Sequence, residues 1–212
     1  GAGLGMILFI FGGFGGIVNS SYSMDVLVHN TMWIVGHFHI TVGGPVALSF
    51  IGAAYRFVPA LTGRKLFAPK LALAQTYVYF VGMVLMSFGM HVAGLLGSPR
   101  RTSDVSYFGA AGAQTWHGEM VVAAVGGMLL FISILMFAVV AAGTRLRDEK
   151  ADEPQTFAFA ATNDDALETP PMLDRLGRWA TIAVVLAVLA YVGPLHDQFA
   201  QTHYLSPGFR TW

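Results

Sequence analysis

The sequence predicts an all-α fold, a polytopic transmembrane helix bundle of about five spans belonging to a larger helical subunit. Three observations carry that expectation. The chain is 55% hydrophobic and only 11% charged, where a soluble domain carries about a quarter charged residues. Segments 1–20, 30–58, 69–97, 115–144 and 177–195 are each apolar over a length that covers a bilayer, which takes about 20 residues. Nine of the 12 Lys and Arg (Arg56, Arg64, Lys65, Lys70, Arg145, Arg147, Lys150, Arg175, Arg178) fall in two of the connecting regions, 56–70 and 145–178.

The elements follow in order. Span one is rich in small residues (Gly12, Gly13, Gly15, Gly16) that allow close helix approach in lipid, and Asn19-Ser20-Ser21 ends it. Span two is followed by Pro59 to Gly63, span three by Pro99, and span five is preceded by Pro170-Pro171. By the positive-inside rule the two basic regions are cytoplasmic, leaving Arg100, Arg101 and Arg210 outside. The expected organisation is four spans over 1–145, a cytoplasmic acidic linker over 146–176, and a last span with an outer C-terminal tail over 177–212. Gly1 opens inside an apolar run without a basic leader or cleavage site, which reads as a segment from inside a longer polypeptide. Zero formal net charge gives no reason to expect nucleic acid, and the absence of cysteine excludes iron–sulfur clusters, thiolate zinc and disulfides within the chain.

Span two carries three histidines, His29, His37 and His39, the last two flanking Phe38. An imidazole at membrane depth is a functional-site hypothesis by default. On one α-helix, residues i and i+2 diverge by about 200°, so His37 and His39 suit two separate metal centres rather than one. On the outer side, Pro99-Arg100-Arg101 lies at the same level as Asp25, His29 and Asn30. Adjacent guanidiniums suit carboxylates, and His37 would lie ~12 Å deeper than His29 along a continuous helix, a spacing that fits haem propionates above and haem iron below. The plainer readings are interfacial anchors for the arginines, a helix cap for Asp25, and a structural hydrogen bond for His91. His117 and Glu119 read as interfacial or interhelical.

Val28-His29-Asn30-Thr31, Gly36-His37-Phe38-His39 and, some sixty residues on, Gly94-Leu95-Leu96-Gly97-Ser98-Pro99-Arg100-Arg101 together resemble the C-terminal part of subunit I of the haem–copper oxygen reductases, over nearly the whole chain. The resemblance implies that His37 is the axial ligand of a high-spin, oxygen-binding haem and His39 one axial ligand of a low-spin haem. Phe38 would lie between the two macrocycles. Arg100 and Arg101 would hold propionates, with Asp25 and His29 beside those of the high-spin haem. The copper centre, with its three His ligands, and the second low-spin axial His would lie upstream. Asn30 stands where mitochondrial-type members usually have an Asp that ligates an outer magnesium. That departure, the last span and the ending Pro207-Gly208-Phe209-Arg210-Thr211-Trp212 resemble the B-type branch.

The implied function is four-electron reduction of dioxygen to water in a prokaryotic cytoplasmic membrane, coupled to proton translocation. The implied partners are the rest of subunit I, a copper-bearing subunit II, a c-type cytochrome donor and the lipid bilayer. This segment alone is expected to be inactive. A nitric oxide reductase of the same superfamily, or a non-catalytic haem-binding bundle, are the competing readings.

Overall fold

In the computed structural model, residues 1–102, 107–151, 170 and 172–200 are described. They form α1 (Ala2–Ser20), α2 (Tyr22–Val28), α3 (Met32–Phe38), a π-helical turn (His39–Gly43), α4 (Gly44–Thr62), α5 (Pro69–Leu95), two short 3-10 turns (Tyr107–Gly109 and Ala111–Trp116), α6 (His117–Leu146) and α7 (Leu176–Ala200). Among the described residues there is no strand, only isolated bridges at Thr31–Pro99 and Arg64–Lys150. Five helical stretches are long and apolar enough to cross a membrane: Ala2–Ser20, Met32–Thr62, Pro69–Leu95, Ala111–Leu146 and Gly177–His196. The chain divides into two compact units, 1–156 and 157–212. Most of the expected linker, and the tail 201–212, lie outside the described residues.

The first unit is organised around α5, which packs along α6 through small residues. A Cβ at Gly82 would sit 2.9 Å from the Gly126 carbonyl oxygen, and one at Gly89 would sit 2.7 Å from the Ala123 amide nitrogen. The backbones are therefore already at contact distance, the geometry that small residues permit in lipid. A core of Leu8, Ile40, Leu48, Ile51, Tyr79, Met83, Met86 and Ala123 joins α1, α4, α5 and α6. Inside it lies a polar relay. The fully buried Gln75 accepts from Tyr55 Oη at 2.9 Å and donates Nε2–H to Ser133 Oγ at 2.8 Å, whose hydroxyl returns a 3.1 Å bond to the Gln75 carbonyl. With no water to satisfy them at this depth, these groups bind three helices together.

The two ends of α5 fix the ends of the unit. At its start, the turn after α4 meets the end of α6: Lys65 N–H donates to the Glu149 carbonyl (3.0 Å), Ala151 N–H to the Gly63 carbonyl (3.0 Å), and Arg64 reaches the Arg145 carbonyl and Asp148. The first basic region and the start of the second thus share one end. At the other end of α5, Met32 N–H donates to the Ser98 carbonyl (2.9 Å) and Arg100 N–H to the Asn30 carbonyl (3.0 Å).

Span two departs from expectation in three ways. It starts at Met32, after α2 and a break at His29-Asn30-Thr31, with Thr31 as its cap. Asp25 therefore does not cap it, and His29 is not on the same helix as His37. Pro59 does not end it. The helix runs through Pro59 and stops where Gly63 takes φ 64°, a left-handed conformation that glycine adopts without a Cβ penalty. Between α3 and α4 a π turn intervenes, closed by Gly44 N–H donating to His39 O, five residues back. Pro45 explains its placement, since it has no N–H to offer Thr41 O and its ring crowds that carbonyl.

Gly126→Val drives a side chain into the Met86 and Gly82 backbones. It should cost about 1–3 kcal/mol by overpacking. At Gly127 an added Cβ meets nothing nearer than Met86 Sδ at 3.9 Å, so Gly127→Ala should cost nothing. Thermal unfolding of the purified complex in detergent compares the two.

Candidate haem-ligand site

α3 is positioned at its N-terminal end by three contacts. Thr31 Oγ1 accepts from Trp33 N–H (3.2 Å) and donates to the Val28 carbonyl (2.8 Å), so one hydroxyl closes α2 and opens α3. Trp33 Nε1–H donates to Asn19 Oδ1 at 3.0 Å, tying the helix to the end of α1. Gly94 lets α5 approach the Trp33 backbone, with no room left for a side chain.

On this short helix His37 faces α1. Its Nδ1 lies 3.1 Å from the Gly12 carbonyl oxygen. His39 Nδ1 lies 2.8 Å from the Val35 carbonyl, one turn back on its own helix. A carbonyl only accepts, so in each ring Nδ1 carries the proton and Nε2 carries the lone pair. That is the tautomer a metal-ligating histidine needs, with the partner carbonyl fixing the ring. Phe38 stands between them, 58% exposed on the surface of this chain, its ring centroid 5.5 Å from that of His37. Thr41 Oγ1 donates to the His37 carbonyl at 2.5 Å, which relieves that carbonyl beside the π turn.

The polar cluster at the Arg100 end is assembled by the break and the loop after α5. His29 Nδ1 and Asp25 Oδ2 are 2.9 Å apart. Arg100 Nη2 approaches Asn30 Oδ1 at 3.5 Å, and Arg100 Nε is buried with no hydrogen-bond partner. Arg101 is exposed, with φ 61°, a left-handed conformation uncommon outside glycine that occurs at functional sites. The structure thus brings Asn30 and Arg100 together, and His29 with Asp25. His37 begins about 7.5 Å further along α3 than Met32, from five residues at 1.5 Å rise. Among the described residues no three His, Asp or Glu side chains converge to hold a metal ion.

A family model described as "Cytochrome C and Quinol oxidase polypeptide I" matches residues 2–129. The chain belongs to that family. Cytochrome c oxidase subunit 1 of Thermus thermophilus is 36% identical over 99% of this chain and 38% of its own length. A second Thermus thermophilus sequence of the same description is 45% identical over 43% of this chain and 86% of its length. Alternative cytochrome c oxidase subunit 1 of Bradyrhizobium diazoefficiens is 39% identical over 45% of this chain and 16% of its length. A chain of a heme-copper terminal oxidase dimer solved by cryo-EM superposes with a TM-score of 0.64 at 36% identity, over 92% of this chain and 34% of that one. The chain spans 38% of the first of these relatives and 34% of the solved structure, well under half of either.

Membership of the cytochrome c and quinol oxidase polypeptide I family implies haem and copper as cofactors and an integral membrane protein among other subunits. The residues present fit haem: two imidazoles with Nε2 lone pairs flank an exposed phenyl ring, and a buried Arg100 Nε lacks a partner. Sequence reasoning missed Gly12, Ser98 and Asn19. They act through backbone carbonyls or a remote amide, and only the glycine-rich run of α1 gave a trace of the first.

Thr31→Ala removes the shared cap and should lower stability by about 1 kcal/mol. Thr31→Ser should restore it, as read by thermal unfolding of the same complex.

Proposed function

We propose that this segment supplies the iron-ligating helix of a terminal oxidase subunit I, with His37 on a high-spin haem and His39 on a low-spin haem. The observation that carries the reading is the pair of Nδ1–carbonyl bonds, to Gly12 and Val35, which leave Nε2 of both rings free to bind iron. The haems, when bound, supply one-electron transfer and an open iron position for dioxygen. His37 holds its proton at Nδ1 against the Gly12 carbonyl, which raises the donor strength of Nε2. Phe38, exposed on the surface of this chain, would lie between the two macrocycles. Arg100 and Arg101 neutralise carboxylates at the outer end, with His29 held beside them by Asp25. His37 is the catalytic residue of this segment, because it touches the cofactor that binds oxygen.

With the rest of subunit I, a copper-bearing subunit II and a c-type cytochrome donor, the assembled enzyme reduces dioxygen to water and translocates protons. The copper ligands lie in the rest of the subunit. We place the complex in a prokaryotic cytoplasmic membrane, B-type, with the basic end of α4 and α6 cytoplasmic and the Arg100 end outside. The organisation proposed is four spans over 1–145, a linker over 146–176, and a fifth span with its tail over 177–212.

In the intact complex, His37→Ala should abolish the CO-induced spectral change of the high-spin haem while the low-spin α-band persists. His39→Ala should remove the low-spin band. Oxygen uptake should fall to background in both. Retention of full haem content in both variants rejects the reading, and NO turnover without oxygen uptake by the wild type reassigns it to nitric oxide reduction.

A further inference from the structure

His91 on α5 is an intramembrane histidine to which the proposed function gives no task. Its Nδ1 lies 2.7 Å from the Ser87 carbonyl, so Nδ1 carries the proton and Nε2 is a bare acceptor. Its ring stands edge-on to Trp33, centroids 4.6 Å apart and planes at 86°. The backbone of Gly36, the residue before His37, lies flat against it: a Cβ there would come within 2.7 Å of His91 Nδ1 and 2.9 Å of the Ser87 carbonyl oxygen. The fixed ring reaches α1 as well. The point where a side chain would start at Gly15 is 3.0 Å from His37 Nδ1 and 3.3 Å from His91 Nε2. Two imidazole nitrogens, one a donor and one an acceptor, therefore border a single notch in α1, one turn from the carbonyl that His37 uses. The surroundings are apolar, a cavity of about 440 Å³ lined by Phe11, Phe14, Val18, Trp33 and Phe88 beside Gly15 and His91, and in such surroundings an acceptor's field is little screened.

We infer that His91 is a positioning residue for His37: locked by Ser87 and Trp33, its ring walls the Gly15 notch and presents the Nε2 lone pair to the side of His37 that carries Nδ1–H. It thereby holds the ring on the Gly12 carbonyl and adds negative potential behind it, which strengthens Nε2 as an iron ligand. The inference rests on the proposed role of His37.

The readout is the iron–histidine stretching band of the reduced high-spin haem, measured by resonance Raman on the intact complex. His91→Asn keeps an amide donor for Ser87 but withdraws the acceptor from the notch, and the band should shift to lower frequency. His91→Gln, whose longer amide reaches further toward the notch, should recover part of the shift. His91→Phe keeps a ring against Trp33 but offers the notch no acceptor and should shift the band the same way, which decides the matter if His91→Asn fails to assemble. An unshifted band in the assembled variants overturns the inference. Haem content of His37→Ala, measured alongside, tells the two failures apart: loss of the haem there leaves the role of His37 standing whatever the band does.

Discussion

The hydrogen bond from His37 to the Gly12 carbonyl places a demand on everything around it. A carbonyl in mid-helix is already engaged along its own helix, and a side chain from another helix reaches it only if the two backbones come close. α1 meets that demand with glycine at 12 and 15, where added side chains would press on Thr41 and on the His37 ring. α3 must then be held at that approach by other means. Trp33 on Asn19, the Thr31 cap, and the pairing of residues 30–32 with 98–100 supply it. Each of these contacts is small, and in lipid such bonds contribute on the order of 1 kcal/mol apiece. Together they fix one imidazole against one carbonyl.

How much of this was legible depended on whether the signal lay in side chains or in backbone. The five spans were readable because bilayer thickness sets a length that hydropathy must fill, and their positions agree with the helices to within a few residues. Of the polar group expected around Arg100, the sequence marked the residues because charged groups next to a span are rare; the structure pairs Asn30 with Arg100 and His29 with Asp25. The break at His29-Asn30-Thr31 was not readable. Apolar periodicity runs across it, and only Thr31, an ordinary cap residue, marks the restart. The depth of His37 therefore cannot be measured from His29 along one helix. The π turn left a fainter mark in Gly43-Gly44-Pro45, which reads equally well as a kink. Pro59 misled in the opposite direction, as a stop signal that stands inside the helix, one turn before its end. Gln75 was overlooked because one polar residue hardly lowers the hydropathy of a 27-residue helix, although it joins Tyr55 and Ser133 at the centre of the bundle.

The two ends of α5 show how such a bundle is tied. Both use main-chain bonds between loops rather than ion pairs. The salt bridges at the basic end, Arg64 to Asp148 at 3.8 Å and Lys65 to Glu149 at 3.9 Å, are long and exposed, and pairs of that kind contribute little. At the other end the loop that pairs with Asn30 and Met32 is also the loop that carries Arg100.

The π turn after Phe38 has a consequence for inheritance. One extra residue per turn shifts the phase of everything after it, so the face of α3 that presents His37 and the face of α4 that packs Leu48 and Ile51 are set by separate registers. Substitutions that rotate or repack α4 can be absorbed within residues 39–43 without turning the imidazole of His37, which lies before the turn. A single-residue deletion within those five positions would instead weld the two halves into one α-helix and carry an error in either face straight into the other. The turn works as a joint, allowing the half of the span that carries His37 and the half that packs into the core to vary independently.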